Sequence, residues 1–417
     1  MGGREKLSGL KHLKEHWEDI FSCMGCGDCG YSIRPAVERY LVCPIKEAKG
    51  EGGFEISFPR GRMNVLKSVL LGQIPLSKEL GKWVYECSEC GNCTEVCHMT
   101  HNENVALPTC NWIDHVKVWE ALRKDLVEAG FAPLEKHSKL IDYMNRDDMR
   151  NPYGEQKIKK YEWTKGIPEL KEKGEFVFFG GCTMPLRQSE TLKNMIKILQ
   201  GAGLEIALSS DEWCCGSIAI RIGDDKSLKE FIQHNINIFK EMGAEVVFTA
   251  CAGCYRTWKK DYPELIGEEL PFQVKHITEI LIELLNNKKI PFKVQKEESR
   301  KVTYHDPCHL GRHMDLYEIP RKVISKIPGI ELVEMKRNRK NAWCCGAGGG
   351  VKSQFPELAK EISKERIKEA IESGADVLTT SCPFCIGNLK DAFEELGPEV
   401  QEKIKLIDII DLIASKI

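Results

Sequence analysis

Cysteines are the residues in this chain whose type and spacing point most directly to chemistry. Ten of the 19 cysteines form one pattern that occurs twice: a single Cys, an adjacent pair within Trp-Cys-Cys-Gly, and a Cys-x-x-Cys motif. Five thiolates exceed the four ligands of one tetrahedral metal ion, so each copy is expected to hold a multi-iron cluster. The first copy contains Cys182, Cys214, Cys215, Cys251 and Cys254, and the second contains Cys308, Cys344, Cys345, Cys382 and Cys385.

Eight further cysteines form two N-terminal motifs. Each has a Cys-x-x-Cys-x-x-Cys triplet, which is typical of a [4Fe–4S] ligand set, and a later fourth Cys. Where a protein holds two such clusters, the fourth Cys ligates the other cluster. We therefore expect Cys97 to complete the first triplet and Cys43 the second, with local pairing of Cys43 as the alternative. The triplets are Cys23, Cys26 and Cys29, and Cys87, Cys90 and Cys93.

A few other residues are candidates for function. His309 follows Cys308 directly, so it could supply a proton when a thiolate product forms; a structural imidazole is the alternative. The one cysteine outside the motifs, Cys110, is expected to be a small buried apolar residue. Basic residues near the Cys loops are candidates for receiving an anionic substrate. They are Arg187, Arg221, Arg256, Arg312 and Lys352.

Composition excludes several classes of protein. The 417 residues carry 60 basic and 62 acidic side chains, a net charge of -2, which gives no basic footprint for nucleic acid. No apolar run is long enough for a transmembrane helix. The sequence shows no apolar leader segment, and its cysteines are grouped at metal-binding spacings. We therefore expect metal-bound thiols in a reducing cytoplasm.

The surrounding pattern predicts how the cysteines are positioned. Residues 1–165 are predicted to form a helical domain, with helices over 7–21, 61–71 and 105–129, and residues 146–173 a solvated linker. From residue 175, short β-rich runs alternate with amphipathic helices, which predicts parallel βαβ units. The predicted strands are 176–179, 204–207 and 245–249 in the first copy, and 302–304, 330–333 and 375–378 in the second.

The two copies match element by element over 175–295 and 300–417, which indicates an internal duplication. The single Cys and the Cys-x-x-Cys motif of each copy follow predicted strand ends, where open α/β sheets bind their ligands. We therefore expect the five thiols of a copy to converge. The predicted fold class is α/β: an α-helical ferredoxin-type two-cluster domain, then two βαβ modules in a pseudo-twofold relation.

These motifs resemble the catalytic iron–sulfur subunit of heterodisulfide reductase, of the D type. The resemblance covers nearly the whole chain and includes Asp211-Glu-Trp-Cys-Cys-Gly216, Cys254-Tyr-Arg-Thr257, His305-Asp-Pro-Cys-His-Leu-Gly-Arg312 and Cys382-Pro-Phe-Cys385. It implies that each five-Cys module binds a noncubane [4Fe–4S] cluster and that a substrate disulfide, that of coenzymes M and B, is cleaved between the two. It also implies two cubane [4Fe–4S] clusters that bring electrons from a partner, a membrane cytochrome b subunit. The chain would then be peripheral on the inner face of the membrane.

Two other functions remain open. Similar modules relay electrons from a flavoprotein in iron–sulfur subunits of glycolate, lactate and glycerol-3-phosphate dehydrogenases, and they occur in membrane complexes of sulfur metabolism. Those dehydrogenase subunits often lack ligands in one module, whereas both are complete here, which favours disulfide chemistry. A zinc-binding scaffold without redox function is the third interpretation.

Overall fold

Helices predominate in the described residues of the N-terminal part of the chain, and parallel strands with intervening helices form the rest. The computed structural model describes residues 9–32, 40–50, 54–97, 113–167, 170–293 and 299–417. Cys110 and parts of the helices predicted over 7–21 and 105–129 lie outside these residues. The chain divides into two units. The small unit comprises Met1–Ser138, Ile218–Asp224 and Arg339–Ser363, and the large unit comprises Lys139–Ser217, Asp225–Asn338 and Lys364–Ile417.

The small unit is built mainly of helices. Helices Pro44–Ala48 and Pro59–Leu70 each begin with a proline that follows a residue in extended conformation. The side chain of Asp114 caps the N-terminus of helix His115–Glu128. The last two helices confirm predicted ones. The other α-helices lying within the small unit are Trp17–Ser22, Lys78–Val84, Asn92–Val96 and Val351–Gln354. Helix Glu135–Asn145 begins in the small unit and ends in the large unit. Strands β1 (Tyr31–Ser32) and β2 (Tyr40–Leu41) pair antiparallel.

The large unit contains two parallel sheets, one from each copy. The first has the order β3-β4-β5, with β3 Phe176–Phe178, β4 Val246–Thr249 and β5 Gln273–His276. The second has the order β7-β6-β8-β9, with β6 Arg300–Tyr304, β7 Ile330–Leu332, β8 Val377–Thr380 and β9 Lys405–Asp408. The predicted mixed α/β architecture with parallel pairing is confirmed.

Helices lie between and after these strands along the chain. Their α-helical spans, including two that continue into the small unit, are Thr183–Arg187, Ser189–Gly201, Ser217–Ile222, Leu228–Met242, Ala252–Arg256, Tyr262–Ile266, Ile277–Asn286, Glu318–Ser325, Pro356–Glu372, Pro383–Leu396, Pro398–Lys403 and Ile409–Ala414. The long predicted helices of both copies are among them.

Both copies contribute to one hydrophobic core in the large unit, which includes Phe178, Phe248, Val302 and Val377 from the strands. Helix Ser189–Gly201 of the first copy packs on Ile409–Ala414, the last helix of the second. In the same way, Glu318–Ser325 of the second copy packs on Ile277–Asn286, the last helix of the first. The contacts between the copies are therefore reciprocal, and each fully buried aliphatic or aromatic side chain in them contributes about 1.5–3 kcal/mol.

Two predictions about local structure are wrong. Residues 204–207 form no strand; Ala207 alone makes isolated bridges, to Lys171 and Val177. Residues 146–173 are not a solvated linker where the structure describes them, because Lys160 is 1% exposed and Trp163 belongs to the core of the large unit. An amphipathic 3-10 helix, Lys157–Thr164, buries these side chains in a segment whose composition is mostly polar.

The pattern also failed to predict the last strand and helix of each copy. These are β5 with Ile277–Asn286, and β9 with Ile409–Ala414. None of the helices in the described ranges is both long enough and apolar enough to cross a bilayer.

Candidate metal centres

The first copy places all five of its cysteines in the large unit. Cys182 follows β3 through Gly180 and Gly181, and Cys251 follows β4 directly before the helix that carries Cys254. The loop with Cys214 is held by hydrogen bonds from two of its backbone amides: Cys214 N–H donates to the Arg150 carbonyl at 3.0 Å, and Trp213 N–H donates to the side-chain Oδ1 of Asn235 at 2.8 Å. Strand ends and this anchored loop therefore deliver thiols from three separate stretches of chain.

These five thiols lie together and are buried. The Sγ atoms of Cys182 and Cys214 are 3.9 Å apart, and those of Cys215 and Cys254 are 3.4 Å apart. Cys254 is also in hydrogen-bonding contact with Cys251. None of the five is more than 9% exposed. The expected convergence is thus present in the first copy.

The thiols strongly affect one another's ionisation. Hydrogen bonds from Cys214 and Cys254 lower the pKa of Cys215 to about 6, so this thiol ionises first. The hydrogen bond with Cys214 and burial raise the pKa of Cys182, and contacts with Cys215 and Cys251 together with burial raise that of Cys254. Adjacent buried sulfurs cannot all become thiolates unless a cation compensates their charge.

A tightly packed glycine and a buried ion pair lie next to these thiols. Gly181 has φ +64°, and a Cβ at this position would lie 3.1 Å from Cys254 Sγ, so a side chain there would crowd the thiols. Glu212, which precedes the Cys pair, accepts a hydrogen bond from Gly180 N–H at 3.2 Å. The buried ammonium of Lys160 contacts the Glu212 carboxylate at 3.4 Å. Sequence reasoning missed Lys160 because its neighbours have the composition of a linker.

In the second copy, three of the cysteines belong to the large unit. Cys308 follows β6, and Cys382 follows β8 directly before the helix that carries Cys385. Ligand atoms of Cys308, His309 and His313 lie within 4.8 Å of one another. Asp306, two residues before Cys308, accepts two hydrogen bonds from the Arg321 guanidinium, at 2.7 and 2.9 Å. This buried pair fixes the loop that presents Cys308 and His309.

The Cys-x-x-Cys regions of the two copies meet within the large unit. The thiols of Cys251 and Cys382 are in hydrogen-bonding contact. A Cβ built on Gly253 would lie 3.8 Å from His309 Nδ1, so His309 faces the Cys251–Cys254 loop of the other copy. Thiols of both copies and the candidate proton donor therefore share one region.

The remaining two cysteines of the second copy, Cys344 and Cys345, belong to the small unit. Cys344 Sγ lies 3.6 Å from the Ser88 hydroxyl, within the second N-terminal motif. The Gly346 amide donates to Cys344 Sγ at 3.2 Å, and the Ser363 hydroxyl donates to the Cys345 carbonyl at 2.6 Å. The Cys-Cys-Gly loop of this copy is therefore packed against Cys87–Cys97.

The N-terminal motifs also gather in the small unit. Asn92 donates a hydrogen bond to the Val42 carbonyl at 2.9 Å, which joins the segment before Cys43 to the second triplet. Burial raises the pKa of Cys43 to about 11. The guanidinium of Arg62 lowers this pKa, whereas the neighbouring thiols of Cys87 and Cys90 raise it. Cys43 thus interacts with the second triplet, as the predicted exchange of ligands requires, and it also interacts with Cys29. Cys26 is exposed.

The donor sets fit iron–sulfur clusters. Every cysteine in the described part of the chain is a free thiol. Most are buried, several are in mutual contact, and soft thiolates in such numbers suit iron and sulfide better than hard cations. Metal binding would also provide the positive charge that buried thiolates need.

Two of the basic residues proposed for an anionic substrate have other functions. Arg221 is buried in an ion pair with Glu120, and Arg256 is buried 3.5 Å from Asp261. Both side chains thus pair with internal carboxylates. Arg187 is half-exposed, lies over the Tyr153 ring at 4.4 Å and is 3.7 Å from the Glu155 carboxylate.

Comparison with known proteins agrees with the cysteine pattern. Residues 176–259 and 302–390 each match the family model of the cysteine-rich domain CCG. The chain is 38% identical over 412 residues, 95% of its length and 93% of the relative's, to the D subunit of dihydromethanophenazine:CoB–CoM heterodisulfide reductase from Methanosarcina acetivorans. The D subunit from Methanosarcina barkeri is 36% identical, with 95% and 93% covered. The B subunit of a fumarate reductase (CoM/CoB) from Methanothermobacter marburgensis is 32% identical, with 98% and 76% covered.

Proposed function

Because the chain belongs to the family of the heterodisulfide reductase D subunits, which are iron–sulfur oxidoreductases, we propose that it reductively cleaves a disulfide such as that of coenzymes M and B. The reaction consumes one disulfide, two electrons and two protons and yields two thiols. The electrons come from a reduced protein partner. This assignment makes the chain the catalytic subunit and not only a carrier of electrons.

The observation that carries this proposal is the meeting of the two copies in the large unit. Cys251 of the first copy contacts Cys382 of the second, and His309 faces the loop that contains Gly253. A disulfide has two sulfur atoms that separate as the bond breaks. Two thiol-rich sites side by side can hold one product sulfur each.

We assign a noncubane [4Fe–4S] cluster to each five-Cys set and two cubane clusters to the N-terminal motifs. The cubane ligands are Cys23, Cys26 and Cys29 with Cys97, and Cys87, Cys90 and Cys93 with Cys43. When bound, such clusters supply single electrons and iron that binds thiolate sulfur. The interaction of Cys43 with Cys87 and Cys90 supports the exchanged ligand, and the reciprocal packing of helices between the copies supports a pseudo-twofold relation.

His309 is the proposed proton donor. It follows Cys308, and its Nδ1 side faces the first copy across the region where the substrate sulfurs would separate. An imidazole in this position can give a proton to a leaving thiolate.

The electron donor is proposed to be a membrane cytochrome b subunit or a flavoprotein. The relatives named as D subunits imply a complex of several subunits. We propose that the chain lies in the cytoplasm, on the inner face of the membrane through such a partner.

The test is an anaerobic assay of the cluster-loaded protein with reduced methyl viologen and the coenzyme M–coenzyme B disulfide. We expect the release of two thiols for every two electrons consumed, and iron near sixteen per chain, about four clusters of four. A protein that loads this iron but leaves the disulfide intact would contradict the proposal. Zinc in place of iron would contradict both the cofactors and the function.

A second candidate is an electron-relay subunit of a flavin-dependent dehydrogenase or reductase. It is favoured by the similarity to a protein named as part of a fumarate reductase. Rapid electron exchange with a lactate- or glycolate-oxidising flavoprotein, without thiol release from the disulfide, would select this function.

A further inference from the structure

One arginine in the small unit connects the second N-terminal motif to the second copy. Arg123 lies in helix His115–Glu128 and is completely buried. Its Nη2 donates to the carbonyls of Val84 and Cys87, at 2.9 and 2.8 Å. Its Nη1 donates to the Gly349 carbonyl at 3.0 Å, four residues after Cys345, and also to the Arg221 carbonyl of the first copy at 2.5 Å. One guanidinium thus bridges a predicted cubane motif and the Cys-Cys-Gly loop.

The two loops that Arg123 joins are in direct contact. Cβ atoms built on Gly348 and Gly349 would come closer than 3.0 Å to the carbonyls of Ser88 and Cys87. Only glycine permits this approach of two backbones. Together with the 3.6 Å contact between Cys344 and Ser88, this brings ligand positions of the two predicted clusters into neighbouring loops.

The charge of Arg123 is balanced within the ligand motif itself. Glu89, between Cys87 and Cys90, lies 2.7 Å from Arg123 Nη1, and both side chains are fully buried. A second buried guanidinium, that of Arg62, interacts with Cys87 and Cys43 but contacts the Ile56 carbonyl instead of the Cys-Cys-Gly loop. Of these two described cations beside Cys87, Arg123 also contacts the Cys-Cys-Gly loop of the second copy, whereas Arg62 contacts the Ile56 carbonyl.

We propose that Arg123 is the positioning residue for electron transfer from the Cys87-motif cluster into the second copy. Its planar donors hold both loops through three carbonyls at once, which a lysine ammonium cannot reproduce. With the clusters bound, a single electron would move from the site at the Cys87 motif to the site of the second copy, and no bond or proton would be exchanged. This inference rests on the proposed cofactors and does not depend on which disulfide is reduced.

The ion pair makes the electrostatic and positioning effects separable. Arg123→Lys keeps the positive charge but loses most of the carbonyl contacts, so the reduction potential should stay near that of the wild type while transfer slows. Glu89→Gln keeps the contacts but removes a negative charge, so the potential of the Cys87-motif cluster should rise while transfer is not slowed. Groups that surround the ligands of a cluster affect both the orientation of those ligands and the potential.

The experiment uses the full-length, cluster-loaded protein and a limiting pulse of methyl viologen radical, about one electron per chain. Freeze-quench EPR follows the decay of the reduced cubane signal and the growth of the second-copy signal, and redox titration gives the potentials. We expect Arg123→Lys to slow transfer about tenfold or more at unchanged iron content. Arg62→Met, the matched control, should lower the potential and change the transfer rate less than Arg123→Lys does.

Transfer at the wild-type rate in Arg123→Lys, or equal slowing in Arg62→Met, would overturn the inference. If Arg123→Lys fails to load iron, the Glu89→Gln variant is the deciding test. Slower electron transfer in this variant, or an unchanged reduction potential of its Cys87-motif cluster, would count against the proposal. The electron-transfer experiment contains no disulfide substrate. A failure to cleave the disulfide in the separate assay would therefore refute the proposed function but would not change the measured effect of Arg123→Lys on electron transfer.

Discussion

The two cysteine-rich copies have the same ligand pattern but different surroundings. All five thiols of the first copy belong to the large unit and lie against one another. The second copy divides its cysteines between the units, and its Cys-Cys-Gly loop packs on the second N-terminal motif. The duplication therefore preserved ligand chemistry while the neighbours of each copy diverged.

The largest effect is expected from removing one ligand of either copy. Cys214→Ser in the first copy and Cys344→Ser in the second should each lose the corresponding cluster signal and lower disulfide turnover about 100-fold or more, since both product sulfurs need a site. Thiol release and EPR of the loaded variants measure this. If turnover survives in one variant whose cluster is lost, that copy is not catalytic.

The next effect concerns the residue after the first Cys, which is His309 in the second copy and Thr183 in the first. His309→Gln should lower turnover about 100-fold, within the range for loss of a general acid, at unchanged iron content. Thr183→Val is the matched control, and its turnover should change only a few-fold. Equal losses in the two variants would show that His309 has no special chemical function.

A smaller effect, on stability, separates the equivalent glycines Gly216 and Gly346. Both have positive φ, so alanine costs about 1–2 kcal/mol at either position. A Cβ at Gly346 would meet the Ala359 carbonyl at 2.5 Å, whereas at Gly216 it would meet a flexible leucine side chain, that of Leu228. We expect Gly346→Ala to lower the melting temperature more than Gly216→Ala does. The reverse order would mean that the backbone around Gly346 yields easily.

A separate effect is a difference in pH dependence between two equivalent buried caps. Asp408 begins the last helix of the second copy, and burial raises its pKa to about 8; His276 begins that of the first copy, and burial lowers its pKa to about 4. The folded state then holds a proton on Asp408 that the unfolded state releases, so this residue destabilises the fold as pH rises from about 4 to 8. His276 destabilises it as pH falls from about 6.5 to 4.

Melting temperatures across this range measure the difference. Asp408→Asn keeps a good capping side chain and should gain stability relative to the wild type toward pH 8. His276→Gln should gain relative to the wild type only toward pH 4. A difference between Asp408→Asn and the wild type that does not grow with pH would show that Asp408 is not neutral in the folded protein.

Patterns local in sequence predicted most of the fold. Helices such as Leu228–Met242 have strong periodicity because one face is buried along the helix, and strands such as β4 are short runs of mostly buried residues. Prediction failed where burial depends on distant partners. Lys160 and Trp163 lie in a polar stretch and become buried only because Glu212 and the core of the large unit lie beside them. The sequence likewise did not indicate that Arg221 and Arg256 neutralise internal carboxylates.

The sequence alone determined the ligand types, their grouping into four sets and the duplication, because these depend on residue identity and spacing along the chain. It thereby indicated the iron–sulfur chemistry. Only the tertiary structure decided that Cys251 meets Cys382, that His309 faces the other copy, and that Cys344 and Arg123 adjoin the Cys87 motif. The physical reason is that contacts between residues far apart in sequence follow from packing of whole elements, and nothing in the spacing of a motif encodes which other motif it will touch.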